Sequence, residues 1–418
     1  MISIVRRWLR VDDYRQLLKN TTALGLVQLS NYILPLLTLP YLSRVLGVEL
    51  FGVVMMGQSL MTILSLITDF GFNLSASKDI AECRDDAKNV SRIASTVFFA
   101  KALLLMGVIG IVGIGVLTVP IMQAHALFFM VSTMIIIGNV VFPMFLFQGL
   151  EQLSSISGYH FCAKLAFTGI LFWVIQSAND YIWVHVLWGG SYVVMGVIAV
   201  WMITQRIPFK WVAPPVKDVF NLLKRSREFF LSRLSVALIL NSNILVVGVL
   251  FSTDQAGLFS GAEKLLFAVT TMYVPLIESL YPYMARTKNK QVIKKVLIGS
   301  TIVNAMGCVV AFSVSPWIIP LIFGTEYVGA VPLFQWMLIV ALFHLPTSMM
   351  GYPLLAALGQ EAMANRSVMI AAVVHVVLLS GLWPIMTTPL HVIWVMIVSQ
   401  LVIFTLRCIA IQRSKILG

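Results

Sequence analysis

Residues 21–43, TTALGLVQLSNYILPLLTLPYLS, contain no charged side chain. At about 1.5 Å per residue a helix of that length crosses a hydrocarbon layer about 30 Å thick. Lipid offers the backbone no hydrogen-bond partners, so a segment this apolar is expected to satisfy them internally, as a helix. After a short turn at residues 44–49, a second run, FGVVMMGQSLMTILSLITDFGF, carries no charge before Asp69, and then the chain turns polar at SKDIAECRDDAKNVSR. Two spans joined by a tight turn return the chain to the side it left. Pro35 and Pro40 predict a kinked first helix, because neighbouring helices in a membrane can re-satisfy the backbone groups a proline frees.

Ten further apolar windows follow, at residues 93–119, 124–148, 155–177, 182–204, 229–251, 256–284, 297–323, 329–357, 364–385 and 388–410. The expected fold is therefore an all-α integral membrane protein with about twelve transmembrane helices. Composition agrees: 59% of residues are hydrophobic and 11% charged, against about 25% charged in a soluble domain. The longest polar connection, with Pro208, Pro214, Pro215 and a dense basic charge, divides the windows six and six. The chain reads as an interfacial N-terminal segment (1–20), an N-lobe (21–204), a basic linker (205–228), a C-lobe (229–410) and a short tail (411–418). Six being even, the lobes enter from one side and would be related by a pseudo-two-fold axis along the membrane normal. A faint internal repeat sets FGVVMMGQSLMTIL on AGLFSGAEKLLFAV, with Gly52 over Gly257.

The net charge of +12 is spread over short connections. Nearly all Lys and Arg, including Arg407 at the end of the last window, fall on alternate connections, with Arg44 on the opposite side. By the positive-inside rule both termini are cytoplasmic, and no nucleic-acid partner is implied. Segment 1–20 alternates Ile4, Val5, Trp8 and Leu9 with Arg6, Arg7 and Arg10, which suits a helix on the membrane surface rather than a cleaved leader. Cys83, Cys162, Cys308 and Cys408 are far apart, without metal-ligand spacing, so they read as free thiols. No nucleophile elbow, phosphate loop, dinucleotide fingerprint or paired-histidine motif is present. Neither a catalytic site nor a metal or cofactor is expected.

Charges inside the apolar windows remain. Lys101, Lys164, Arg233 and Lys264 are the cations, and Asp69, Glu263 and Glu278 the acids. A charge at mid-bilayer costs at least about 2.5 to 3.5 kcal/mol, so each needs a partner, a wet cavity or an interface. Asp69, Arg233 and Lys164 stand near enough to a span's end to snorkel. Lys101 and Lys264 are deeper and are the better candidates for lining a cavity. Glu263 and Lys264 point about 100° apart and are expected to pair with other helices. His125, His185 and His391 read as interface residues, and His344 and His375 as interhelical hydrogen-bonding groups. Asn241, Ser242 and Asn243, like Ser30 and Asn31, are expected to bond helix to helix.

The stretches LSNYILPLLTLPYLSRVLGVELFG, SLITDFGFNLSASKDIA and FPMFLFQGLEQLSSISGYHFCAKL resemble the polysaccharide-transport family, the lipid-linked O-antigen flippases among the multidrug/oligosaccharidyl-lipid/polysaccharide exporters. The resemblance implies a flippase that moves an undecaprenyl-diphosphate-linked oligosaccharide from the cytoplasmic to the periplasmic leaflet of a bacterial inner membrane. On that reading the two lobes enclose a cationic cleft, and Lys101, Lys164, Arg233 and Lys264 bind substrate. Asp69, Glu263 and Glu278 are then the ion-coupling candidates. Expected partners are the lipid-linked oligosaccharide, membrane lipid, and the polymerase and chain-length regulator of the same pathway. A drug or cation antiporter of the same superfamily is the first alternative, calling for a cavity dominated by acids. A membrane polymerase or ligase is the second, calling for a large outer loop.

Overall fold

The computed structural model describes residues 11–206 and 209–413; the interfacial segment through residue 10 and most of the tail lie outside them. Among the described residues there is no strand. The helices are α1 (Val11–Asp69), α2 (Phe72–Glu82), α3 (Ala87–Thr118), α4 (Pro120–Ala124), α5 (Ala126–Val141), α6 (Met144–Gly149), α7 (Leu153–Val174) and α8 (Tyr181–Arg206). They continue with α9 (Val216–Leu250), α10 (Thr253–Thr271), α11 (Val274–Thr287), α12 (Lys290–Phe323), α13 (Ala330–Met349), α14 (Glu361–Leu382) and α15 (Pro389–Arg413).

Among the described residues, ten segments are long and apolar enough to cross a membrane, which makes this a multi-pass membrane protein. The expected count of about twelve covers more of the chain than these ten do. Residues 21–36 fall outside the first segment counted, which starts at Leu37, and α7 is absent from the ten. Its first half carries Ser154, Ser155, Ser157, His160 and Lys164, which dilutes its hydropathy. The outer surface is apolar where a soluble protein's is charged: Leu117, Val303, Val309, Trp317 and Leu321 are all exposed. Such a surface belongs in hydrocarbon rather than water.

The turn expected at residues 44–49 falls at Gly47 of α1, whose φ of 71° favours a residue without Cβ. Several window boundaries move. The window 124–148 breaks at Phe142 and Pro143 into α5 and α6, and the window 256–284 breaks at Met272 and Tyr273 into α10 and α11, with Pro275 in the first turn of α11. The basic linker is shorter than expected, because the helix that becomes the seventh window already starts at Val216. The window 329–357 leaves α-geometry in a wide turn, Met350–Leu355, containing Gly351 and Pro353.

The chain divides into two compact units, Met1–Val45 with Met61–Phe230, and Leu46–Leu60 with Leu231–Gly418. In the first unit α5 packs along α8, α7 on α8, α3 on α5 and α2 on α6. Small residues make this possible. A Cβ on Gly189 would come within 2.8 Å of the Ile135 nitrogen, and one on Gly138 within 2.8 Å of the Val193 nitrogen. Close backbone approach of this kind drives helix association where no hydrophobic effect operates. The core joins Phe72, Ile80, Val97, Phe145 and Phe147 to Met195 and Ala199.

In the second unit α13 is the central helix, packed on α10, α12 and α15, and α14 lies against α15. Gly52 and Gly257, aligned above as a repeat, face one another: a Cβ on Gly52 would reach within 2.8 Å of the Gly257 nitrogen. Their likeness answers to a tight helix crossing.

Candidate functional site

Along α3 the buried positions Val90, Ala94, Val97, Lys101, Val108 and Val112 recur at helical spacing, so Lys101 stands on the face turned into the first unit. It is 2% exposed. Its Nζ lies 3.3 Å from Oδ1 of Asp69, the last residue of α1, and 5.4 Å from the ring centroid of Phe145 on α6. Two residues assigned separate roles from sequence, a substrate cation and an ion-coupling carboxylate, thus form one ion pair. Asp69 is buried with it rather than snorkelling to the surface.

Burying a carboxylate and an ammonium costs several kcal/mol per ion, which mutual attraction offsets only in good geometry. The pair is therefore poor as a stabilising device. It can exchange partners, since an anionic ligand oxygen competes with Asp69 for the ammonium.

The other predicted residues are placed differently. Lys164 on α7 is half-buried, its Nζ 5.3 Å from the ring centroid of Tyr192 on α8. Glu263 and Lys264 on α10 are partly exposed, whereas Arg233 on α9 and Glu278 on α11 are exposed. In the first unit Asp69 and Lys101 are brought into contact.

His375 bonds between helices as expected, meeting Ser399 at 2.9 Å and Ser242 at 3.2 Å, whereas His344 contacts Ser348 of its own helix at 3.5 Å. His185, expected at the membrane interface, is buried instead and meets Ser132 on a neighbouring helix at 2.6 Å. Asn241 and Asn243 depart from expectation, donating to carbonyls of their own helix, Ala237 and Ile239. The side chains of Ser30 and Asn31 lie outside the described residues.

Two buried groups escaped the sequence reading. His160 on α7 is 7% exposed and sits among polar neighbours that obscure it. Arg407 on α15 was counted with the cytoplasmic charges because a window's last turn usually reaches the surface. It is instead buried, donating to Ser367 Oγ (3.0 Å), Thr347 O (2.6 Å) and Ala364 O (3.2 Å). A mismatch between a guanidinium and the broken helix beside it, with its freed carbonyls, was the available signal.

A cavity of about 500 Å³ opens at the polar end of the first unit, lined by Asp79, Asn89, Arg92, Asp218, Asn221 and Arg225 among others. It holds the ion pairs Arg92–Asp218 (2.7 Å) and Arg225–Asp79 (3.5 Å). Its lining does not include Lys101, Asp69 or Lys164.

Residues 17–288 match the family described as polysaccharide biosynthesis protein. The chain belongs to that family. Members similar to it include a protein of Escherichia coli (strain K12) named "Putative O-antigen transporter", 27% identical over 67% of this chain and 68% of the relative. A protein of the same name from Shigella dysenteriae is 24% identical over 85% of this chain and 90% of its own length. Among solved structures, the lipid II flippase MurJ in an inward closed conformation superposes with a TM-score of 0.71 at 10% identity, covering 93% of this chain and 87% of that one. An outward-facing multidrug resistance MATE transporter of the MOP superfamily gives 0.55 at 11% identity, covering 96% and 95%. The all-helical MOP fold expected from the sequence is the fold present.

Proposed function

We propose that this protein is a flippase for a lipid-linked saccharide with an anionic headgroup. It moves an undecaprenyl-diphosphate-linked oligosaccharide from the cytoplasmic to the periplasmic leaflet of a bacterial inner membrane by alternating exposure to the two sides. One observation carries the reading: in a member of the polysaccharide biosynthesis family, a buried ammonium, Lys101, is held among the described residues by the carboxylate of Asp69. Relatives named as O-antigen transporters support the cargo class.

The mechanism follows from charge. A diphosphate displaces Asp69 from Lys101, so the cargo's headgroup leaves bulk water only when the buried cation is there to receive it. Lys164, Arg233 and Lys264 are further contacts along its route. Asp69, once displaced, can accept a proton or cation, and Glu263 and Glu278 offer the same service. Outward passage of about two negative charges is favoured by an inside-negative potential, at about 2.3 kcal/mol per charge per 100 mV.

The test is reconstitution into vesicles with a fluorescent undecaprenyl-diphosphate oligosaccharide, its leaflet distribution read with a membrane-impermeant quencher. Wild type should equilibrate the probe, Lys101→Ala should slow it at least about tenfold, and an imposed pH or sodium gradient should bias the distribution. A wild-type rate equal to that of protein-free vesicles would overturn the reading. Transport of a cationic dye with no response to lipid-linked sugar would assign the protein to drug export instead.

A further inference from the structure

His160 is buried on α7, and its Nδ1 has no hydrogen-bond partner among the described residues. A buried polar atom left unpaired costs about 1 to 3 kcal/mol, so natural proteins rarely keep one unless something outside the chain completes it. The surroundings narrow what that is. The imidazole lies 5.9 Å from the ring of Phe142 and 6.2 Å from that of Tyr192. One helical turn on, at i+4 and hence on the same face, stands Lys164, whose ammonium also rests over Tyr192. Tyr192 is held there by the close crossing at Gly138, where a Cβ would lie 2.9 Å from the Tyr192 carbonyl carbon. A fixed aromatic platform, a cation and an unused ring nitrogen therefore share one patch of the first unit.

We propose that His160 and Lys164 together bind a phosphoryl group of the cargo, the ammonium supplying charge and the imidazole N–H a directional hydrogen bond, with Tyr192 as the wall they share. The inference rests on the flippase reading and adds to it a specificity residue. Lys164 attracts any anion, whereas a single N–H at a fixed position selects one whose oxygens reach both groups. This role explains a polar group placed where a leucine or phenylalanine would pack without penalty.

Two substitutions separate recognition from packing. His160→Phe keeps a ring of similar size and removes the nitrogen; His160→Gln keeps an N–H donor on a flexible stem. In purified, detergent-solubilised protein, binding of undecaprenyl diphosphate is measured against undecaprenol, the same lipid without phosphate. His160→Phe should weaken binding of the diphosphate about five- to tenfold, leave undecaprenol unchanged, and melt at the same temperature as wild type or higher, because it removes an unpaired polar atom. His160→Gln should bind the diphosphate within about twofold of wild type. If His160→Phe binds the diphosphate as wild type does, this inference falls while the flippase reading stands. Should His160→Phe unfold, weak binding by a folded His160→Gln, no better than by His160→Leu, would overturn the inference. Failure of wild type to distinguish undecaprenyl diphosphate from undecaprenol would overturn both.

Discussion

An ammonium left alone at Lys101, or a carboxylate left alone at Asp69, would be a buried charge without its close counter-ion. Removing one partner of such a pair costs about 3 to 5 kcal/mol, while replacing both with apolar residues of similar volume is often neutral. Lys101→Met and Asp69→Leu should therefore each lower the melting temperature, and the double variant should recover most of the loss. Transport should be lost in both variants that lack Lys101, the refolded double variant included, which separates a folding defect from loss of the cargo's cation. Cys83, between α2 and α3, gives a second test. Burial pushes its thiol up, and the carboxylates of Asp86, Asp79 and Glu82 push it further. A raised thiol holds less thiolate at any given pH. Maleimide labelling at pH 7 should therefore be slower than that of an unstructured peptide cysteine and should rise as pH rises. Asp86→Asn should speed labelling only modestly, since burial is the larger cause, and Asn caps α3 as well as Asp does. Of the residues that matter here, Lys101 and Asp69 were conspicuous in the sequence as charges out of place. Their partnership was not, because residues 69 and 101 meet only in the folded unit, in a way no local pattern encodes.

Helix breaks carry the element-scale lesson. Prolines 143, 275 and 353 mark three of them in the sequence, yet what packs against such a break can come from elsewhere in the chain. At the wide turn Met350–Leu355 it is Arg407, whose guanidinium ties α15 to Thr347 on α13 and to Ala364 and Ser367 on α14. Gly351 makes room, since a Cβ there would stand 2.6 Å from Arg407 Nη1. Arg407→Met should remove three charge-assisted hydrogen bonds, to Ser367 Oγ and to the Thr347 and Ala364 carbonyls, and cost at least about 2 kcal/mol. Hydrogen exchange across residues 347–355 should accelerate by a factor of ten or more, and Arg407→Lys, with fewer donors, should fall between. Unchanged exchange would mean that the turn holds itself.

For the whole molecule, the placement of Lys and Arg predicts that the segment before α9 is cytoplasmic. A cysteine introduced at position 213, in a variant with its four native cysteines replaced by serine, should react with an impermeant maleimide in inside-out vesicles and not in intact cells. The reverse pattern would invert the proposed orientation. The sequence by itself determined that this chain is an all-helical membrane protein, because hydropathy is a sum over neighbours along the chain and lipid permits few backbone solutions. It also showed which charges stand in apolar surroundings. Tertiary structure decided which of those charges meet, Lys101 with Asp69, and revealed two buried groups the sequence did not: Arg407, which takes backbone carbonyls, and His160, which keeps a nitrogen unpaired. Pairing depends on how the helices pack, and close packing rests on contacts between residues far apart in the chain, as where Gly138 and Gly189 let α5 approach α8; only the packed bundle records that geometry.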